Sequence, residues 1–186
     1  MNPNKIIAEY YPEGSKARKI LVRHGEDVAG KALQIAALHP EMLLDLRFIE
    51  EAAMLHDIGI FLCNEPEFHC FGAAEYICHG YLGADLLRGK GLHRHALVCE
   101  RHTGAGITID EIVLRNLPLP FRNMLPLSLE EKIICYADKF FSKTKPGKEK
   151  ALEKVLKSLS KHGRDTLERF MQMHYLFYGE RLDYME

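Results

Sequence analysis

The dipeptide His56-Asp57, followed directly by Ile58-Gly59, is the feature of this chain that most constrains its fold. Histidine nitrogens and carboxylate oxygens are the usual protein ligands of catalytic transition metals. Other residues of these two types stand far apart along the chain: His24, His79, His102 and Asp138. They can meet at one centre only if the fold gathers several helices around it, so the pattern favours a helical bundle.

Composition limits the class of protein. A length of 186 residues predicts one domain, or one domain with an appended terminal element, and a hydrophobic content of 47% is enough for a real core. The formal net charge of -1 does not indicate a globally basic nucleic-acid binder. No apolar run approaches the roughly 20 residues of a membrane span, and the N-terminus does not resemble a secretory signal.

The cysteines favour a reducing compartment. There are five, an odd number, and no two of them form a C-x-x-C pair, so a disulfide framework or a structural zinc knuckle is poorly supported. We therefore expect reduced thiols in a cytoplasmic protein.

Apolar periodicity predicts helix after helix and no convincing strand. The residues between 60 and 78 are irregular and predict a long loop, and those between 107 and 126 predict a short helix and a proline-rich connector. Ser128 and Glu131 predict a capping box at the start of the next helix. The predicted helices cover about residues 15–38, 41–57, 79–89, 93–103, 128–141, 148–161 and 165–178.

The ligand-type residues fall on the apolar stripes of these helices. His24 lies four residues after Ile20, and Asp138 lies four residues after Ile134, so both are expected to face inward. A lone inward histidine is usually a hydrogen-bonded core residue, but a whole set of buried polar groups is costly unless a cation takes their lone pairs. The joint pattern therefore favours a metal.

Two ions are expected to share Asp57. His24, His56, Asp57 and Asp138 would hold the first ion, and Asp57 with His79 and His102 would hold the second. Two metals roughly 3.5–4 Å apart suit hydrolysis of phosphate esters, because they polarise a phosphoryl oxygen and activate a water molecule.

The order of these residues resembles the HD-domain superfamily of metal-dependent phosphohydrolases. Leu55-His56-Asp57-Ile58-Gly59 matches its HDIG subgroup, and the stretches 101–106 and 129–139 resemble small prokaryotic members. The resemblance covers about residues 15–145. It implies an all-α fold, with an HD-domain helical bundle in residues 1–145 and a C-terminal helical extension, residues 146–186, packed on it.

The resemblance also implies a cofactor and a substrate class. The cofactor would be one or two divalent transition metal ions, with iron or manganese favoured and zinc, nickel or cobalt also allowed. The reaction would be cleavage of a phosphate ester or anhydride in a small, nucleotide-like molecule. Nucleic acid and membrane are not expected as partners, and a homodimer is left open.

Four residues are candidates for catalysis. Asp57 would bridge the metals, Lys139 and Arg101 would hold a phosphate, and His69 in the long loop would donate a proton to the leaving group. Solvent-exposed roles are the alternative for the last three. Two other functions stay open: a diiron oxygenase of HD fold, and a metal-dependent binding module without turnover.

Overall fold

The computed structural model describes residues 1–180, most of which are helical. Its α-helices, in chain order, are α1 (Pro3–Tyr10), α2 (Lys16–Ala37), α3 (Leu46–Leu55), α4 (His79–Gly89), α5 (His93–Arg101), α6 (Ile109–Leu114), α7 (Leu129–Asp138), α8 (Leu152–Leu159) and α9 (Arg164–Tyr178). The predicted all-α class is confirmed. None of the helices formed by residues 1–180 combines the length and the apolarity needed to cross a membrane.

The long helix α2 lies at the centre of the fold, in contact with α3 and α7. Ser15 begins it as predicted, because the Ser15 hydroxyl accepts a hydrogen bond from the Arg18 backbone N–H. The buried face of α2 packs against α3 and α7. One hydrophobic cluster joins residues of α2, α3 and α7 to residues of α8 and α9, and a second one lies between α1, the ends of α2 and α3, α4 and α5.

The C-terminal helices complete the main core rather than only covering it. Val155 and Leu159 of α8 and Phe170 and Phe177 of α9 are buried in the same cluster as Ile49 of α3. A boundary near residue 145 stays a prediction, and part of the predicted extension, residues 181–186, lies outside the described residues.

The start of α3 differs from the prediction. The helix begins at Leu46 rather than near residue 41, because Asp45 caps it by accepting a hydrogen bond from the Phe48 backbone N–H. Before this cap, Pro40–Met42 form a 3₁₀ turn, and Leu43 adopts a left-handed φ of 48° that ends it.

The segment between α3 and α4 is ordered by short elements. It contains three 3₁₀ turns, Ile58–Leu62, Pro66–Phe68 and Tyr76–Cys78, and a small antiparallel pair of strands, β1 (Asn64–Glu65) and β2 (Cys70–Phe71). These two-residue strands carry no alternating pattern, so the sequence could not indicate them.

The predicted capping box at Ser128 is only half formed. The Ser128 hydroxyl accepts from the Glu131 backbone N–H, but the Glu131 carboxylate accepts from the Leu127 N–H and from Arg101. A reciprocal box forms at the start of α6, between Thr108 and Glu111.

Candidate functional site: a buried histidine and aspartate cluster beside a pocket

The six predicted ligand residues meet inside the protein. We call them the His/Asp cluster, and each is at least nine-tenths buried: His24, His56, Asp57, His79, His102 and Asp138. His24 comes from the middle of α2, and the other five lie at the ends of α3, α4, α5 and α7. The sequence therefore predicted correctly that residues distant along the chain come together.

Asp57 is the centre of the cluster. Its Oδ2 atom lies 3.1 Å from His56 Nε2 and 3.3 Å from His24 Nε2. Its Oδ1 atom lies 3.2 Å from His79 Nε2 and 3.4 Å from His102 Nε2. One carboxylate thus faces imidazoles from four segments of the chain. Its position follows from the turn after α3, where Asp57 lies between the helix and the following 3₁₀ turn and its backbone carbonyl accepts a hydrogen bond from the Ile60 N–H.

Asp138 closes the cluster from the end of α7. Its Oδ1 atom lies 2.9 Å from His24 Nε2 and 3.5 Å from His56 Nε2. The two carboxylates therefore share the imidazoles of His24 and His56.

Three imidazoles are oriented by the backbone in the same way. The Nδ1 atoms of His56, His79 and His102 each lie 2.6–2.7 Å from the carbonyl oxygen three residues earlier in the chain. A carbonyl only accepts hydrogen bonds, so the Nδ1 atom of each ring carries a proton, and the Nε2 atom presents a lone pair to the cluster whenever the ring is neutral. This arrangement turns three Nε2 atoms toward Asp57.

Several cluster atoms have no hydrogen-bond partner. They include His56 Nε2 and Asp57 Oδ1, both within the described part of the chain. Two groups of donor atoms lie within 4.8 Å of one another, His24 with His56 and Asp138, and His56 with Asp57 and His102. These are the residues that could hold a cation. Their role as metal ligands stays a prediction.

Burial and neighbouring charges shift the pKa values of two cluster imidazoles in opposite directions. Burial disfavours the charged form of His56, but Asp57 and Asp138 outweigh it and raise the pKa of His56 to about 9. Burial dominates at His102 and lowers its pKa to about 3. Burial opposes ionisation of Asp57, yet His56 and Lys143 hold its pKa well below the usual range.

Two lysines stand beside the cluster. Lys139, a predicted substrate residue, places its ammonium 2.6 Å from Asp138 Oδ2 and donates to the His102 carbonyl. Lys143 places its ammonium 2.7 Å from Asp57 Oδ2, and burial of its charge is offset by Asp57, which raises the pKa of Lys143. The contact of Lys143 with Asp57 could not be predicted, because Lys143 stands in a run of lysines and no local pattern distinguishes it from its neighbours.

A pocket of about 300 Å³ opens from the cluster to the surface. His79, His102 and Asp138 line its inner end with Lys139 and Lys143. Apolar side chains also line it: Ile77, Ile107 and Leu117. The exposed Arg115 and His162 lie at its outer end, and the other polar lining residues include Thr103, Glu111 and Thr166. The pocket is large enough for a small molecule or one unit of a polymer.

Of the four predicted catalytic residues, Lys139 alone lines this pocket, and Asp57 lies buried behind the lining. Arg101 pairs with Glu131 at 2.9 Å, and neither Arg101 nor His69 lines the cavity. His69 is exposed at the end of a 3₁₀ turn, where its φ of 56° is left-handed. The Glu131 carboxylate, which was predicted to cap α7, binds the Arg101 guanidinium, and Arg101 therefore does not reach the pocket.

Comparison with known proteins identifies two named relatives. A "tRNA (cytidine(56)-2'-O)-methyltransferase" of Picrophilus torridus is 33% identical over 152 residues, which are 76% of this chain and 40% of that protein. A protein of the same name from Thermoplasma volcanium is 32% identical over 160 residues, 85% of this chain and 42% of that protein. The chain therefore spans about two fifths of the length of these relatives.

A third relative carries no functional name. It is an uncharacterized protein of Methanocaldococcus jannaschii, 38% identical over 103 residues, 55% of this chain and 53% of that protein. No family model matches the chain, and no solved structure matches it.

These names contradict the functional prediction made from the sequence. The relatives are named for transfer of a methyl group to an RNA ribose, so the assignment to HD-domain phosphohydrolases, to hydrolases in general and to cleavage of a phosphate ester or anhydride is wrong. The same names contradict the diiron oxygenase, and they contradict the binding module in the form predicted, which depended on a metal. The sequence pattern predicts the buried set of imidazoles and carboxylates correctly, but such a set serves several chemistries and does not specify the reaction.

The predicted cofactor and partners are overturned by the same finding. The two named relatives transfer a methyl group, a reaction that needs an organic methyl donor rather than a divalent iron, manganese, zinc, nickel or cobalt ion, and their named substrate is a tRNA rather than a small phosphorylated molecule. The expectation that nucleic acid is not a partner is wrong as well. The formal net charge of -1 does not indicate that Arg115, Lys139 and Lys143 meet at the pocket, because acidic residues elsewhere in the chain balance them.

Proposed function

We propose that this chain acts in the 2′-O-methylation of tRNA as a module that binds the RNA. The observation that carries the proposal is the pocket beside the His/Asp cluster, where cationic side chains, imidazole lone pairs and an apolar wall stand together. The similarity to two proteins named for tRNA methylation supports RNA as the ligand. In such a module the pocket receives one ribose and its phosphate.

The charges in the pocket suit a phosphate at the outer end. Arg115 is exposed at the pocket lining, and its guanidinium has no ion-pair partner within residues 1–180. An arginine in this state offers a planar, permanently charged donor group, which matches phosphate oxygens in pairs. Lys139 and Lys143 place two further ammonium groups at the inner end, each already paired with a carboxylate of the cluster.

The inner end suits a ribose hydroxyl. The Nε2 atoms of His79 and His102 lie 3.1 Å apart at the pocket floor. A 2′-hydroxyl can donate a hydrogen bond to such a lone pair and accept one from a nearby ammonium, and DNA lacks this group. We therefore expect the site to prefer RNA to DNA.

The chain spans only 40% and 42% of the two named relatives, so it need not carry their whole activity. Because cationic side chains line its pocket, we assign to it the binding of tRNA rather than of the methyl donor. We place its action in the cytoplasm, where its five unpaired cysteines are stable as thiols.

Equilibrium binding tests the proposal. Fluorescence anisotropy would compare an unmodified tRNA transcript, DNA of the same sequence, and the transcript with a 2′-deoxyribose at cytidine 56. We expect tRNA to bind more tightly than DNA, and the single deoxyribose to weaken binding by several fold. Arg115→Ala should weaken tRNA binding on the order of tenfold, while Arg18→Ala, which removes an arginine outside the pocket, should leave it unchanged. Equal affinity for RNA and DNA would overturn the proposal.

A second measurement separates binding from catalysis. The chain would be incubated with tRNA and methyl-labelled S-adenosylmethionine, and transfer of label to the RNA would be followed. We expect binding without transfer by this chain alone. Transfer of label to the tRNA would contradict the proposal that this chain binds tRNA without binding the methyl donor.

A further inference from the structure

The outer face of α8 carries a row of lysines. Lys154, Lys157 and Lys161 are exposed, and Lys161 extends the row into the 3₁₀ turn that continues the helix. At 100° per residue their side chains fall within an arc of about 60° and span about 10 Å along the axis. The opposite face is buried in the core through Val155 and Leu159.

None of these three ammonium groups has an ion-pair partner within the described residues 1–180. Glu153 stands four residues before Lys157, the spacing that favours an ion pair on a helix, yet the two side chains do not pair. Like charges three and four residues apart destabilise a helix by a few tenths of a kcal/mol each. The row therefore does not stabilise α8, and its charges are free to meet an external anion.

The row is continuous with the pocket. His162 follows Lys161 directly and lines the outer part of the pocket with Arg115. Burial lowers the pKa of His162, and the positive charges of Arg115, Lys139 and Lys161 lower it further. His162, Arg115 and Lys139 line the same pocket, and Lys161 precedes His162 in the chain, so the lysine row reaches the pocket at this imidazole.

We propose that the lysine row on α8 binds the phosphodiester backbone of an RNA strand whose neighbouring nucleotide occupies the pocket. This inference rests on the proposed function and adds the path of the strand outside the pocket. Lysine ammonium groups bind phosphates as point charges, so the row positions a strand without reading its bases. A row that ends at a pocket mouth fits a linear polyanion better than a flat membrane surface.

The test removes the row and compares it with a matched control. Lys154, Lys157 and Lys161 would be changed together to alanine, and the control would carry the same change at Lys5, Lys16 and Lys19, which are exposed on α1 and α2. Affinity for the tRNA transcript would be measured by anisotropy at several salt concentrations. Circular dichroism would check that both variants keep their helical content, since exposed lysine to alanine changes are well tolerated in helices.

We expect the α8 variant to bind tRNA on the order of tenfold more weakly, and to lower the slope of log K against log salt by about 2, because up to three counterions are no longer displaced. The control should keep the affinity and slope of the original chain. An α8 variant that binds tRNA as the original chain does would overturn this inference and leave the proposed function standing. Equal losses in the two variants would overturn it too, because the effect would then follow total charge.

Two further outcomes are distinguishable. Absence of tRNA binding by the original chain would overturn the proposed function and this inference together. Vesicles of phosphatidylcholine with about one third phosphatidylserine serve as a competing polyanion. Loss of vesicle binding in the α8 variant without loss of tRNA binding would assign the row to a lipid surface and overturn the inference.

Discussion

Lys143 Nζ lies 2.7 Å from Asp57 Oδ2, which joins the segment after α7 to the turn after α3 at the centre of the His/Asp cluster. Both side chains are at most one-tenth exposed. The lysine also lies over the rings of Phe68 and Tyr76, each 5.9 Å from the ammonium. A cation from a basic surface segment thus balances the most buried carboxylate of the site.

Breaking this pair from one side should be costly. Lys143→Met leaves Asp57 with less compensation, and Asp57→Asn leaves the Lys143 ammonium without its closest partner. We expect each change to lower the free energy of unfolding by about 3 kcal/mol. The double variant removes both charges, so its loss should fall short of the sum by about 2 kcal/mol. Urea unfolding at neutral pH measures the stability of the original chain, the two single variants and the double variant, which together form a double-mutant cycle.

The exposed Lys148 provides the control for that cycle. Lys148→Met should change the stability by less than about 0.5 kcal/mol. Losses that simply add in the double variant would show that Asp57 and Lys143 are not coupled.

Gly59 permits the close approach of the turn after Asp57 to α4. A Cβ atom there would overlap the backbone of His79 and lie within 2.8 Å of Gly83 Cα, and neither backbone can rotate away. Gly59→Ala should therefore destabilise the protein by at least about 3 kcal/mol. Gly30, on the exposed side of α2, has nothing within 4 Å of such an atom. Gly30→Ala should stabilise the protein by up to about 1 kcal/mol, and equal melting temperatures for the two variants would contradict this account.

The inward orientation of cluster residues could be predicted from local sequence patterns, but the side chains around the cluster could not. His24 and Asp138 could be predicted to face inward because each continues an apolar stripe, and Ser15 could be predicted to begin α2 because its hydroxyl caps a free N–H. These signals depend on residues three or four positions apart, and the structure confirms the resulting geometry.

Long-range contacts account for what could not be predicted. Lys143 meets Asp57 across 86 positions of sequence, and Arg101 turns to Glu131 across 30. Periodicity carries no information about such pairs. The reaction was beyond reach for a related reason, since imidazoles and carboxylates that converge serve many chemistries, and only comparison with whole proteins pointed to RNA.

A hydrogen bond in the main core should contribute measurably to stability. The Tyr136 hydroxyl lies 2.8 Å from His174 Nδ1, and both residues are buried between α7 and α9. Tyr136→Phe leaves that nitrogen buried without a partner, so we expect a loss of about 1–2 kcal/mol. Tyr178→Phe, at a ring that is 39% exposed, should cost less than about 0.5 kcal/mol. Equal effects of the two changes in thermal unfolding would count against the hydrogen bond.

The contact between α6 and α9 should respond to pH. Burial opposes ionisation of Glu111, but hydrogen bonds from Arg169, 2.8 Å away, and from the Thr108 backbone outweigh it and lower the pKa of Glu111. A carboxylate whose pKa is lower in the folded than in the unfolded state stabilises the protein fully at pH values above the unfolded-state pKa, near 4.5. This contribution disappears as the pH falls through the pKa of the folded state. Glu111→Gln should therefore cost about 1.5 kcal/mol at pH 7.

Urea unfolding between pH 7 and pH 3 tests this linkage. The difference between the original chain and Glu111→Gln should be constant near neutral pH and should shrink progressively below about pH 4.5, because the protonated carboxyl resembles the amide. Glu13→Gln, at an exposed glutamate in the turn between α1 and α2, should show no such trend. A difference that grows as the pH falls would mean that Glu111 is stabilised in its neutral form, and the charged contact with Arg169 would then not hold α6 against α9.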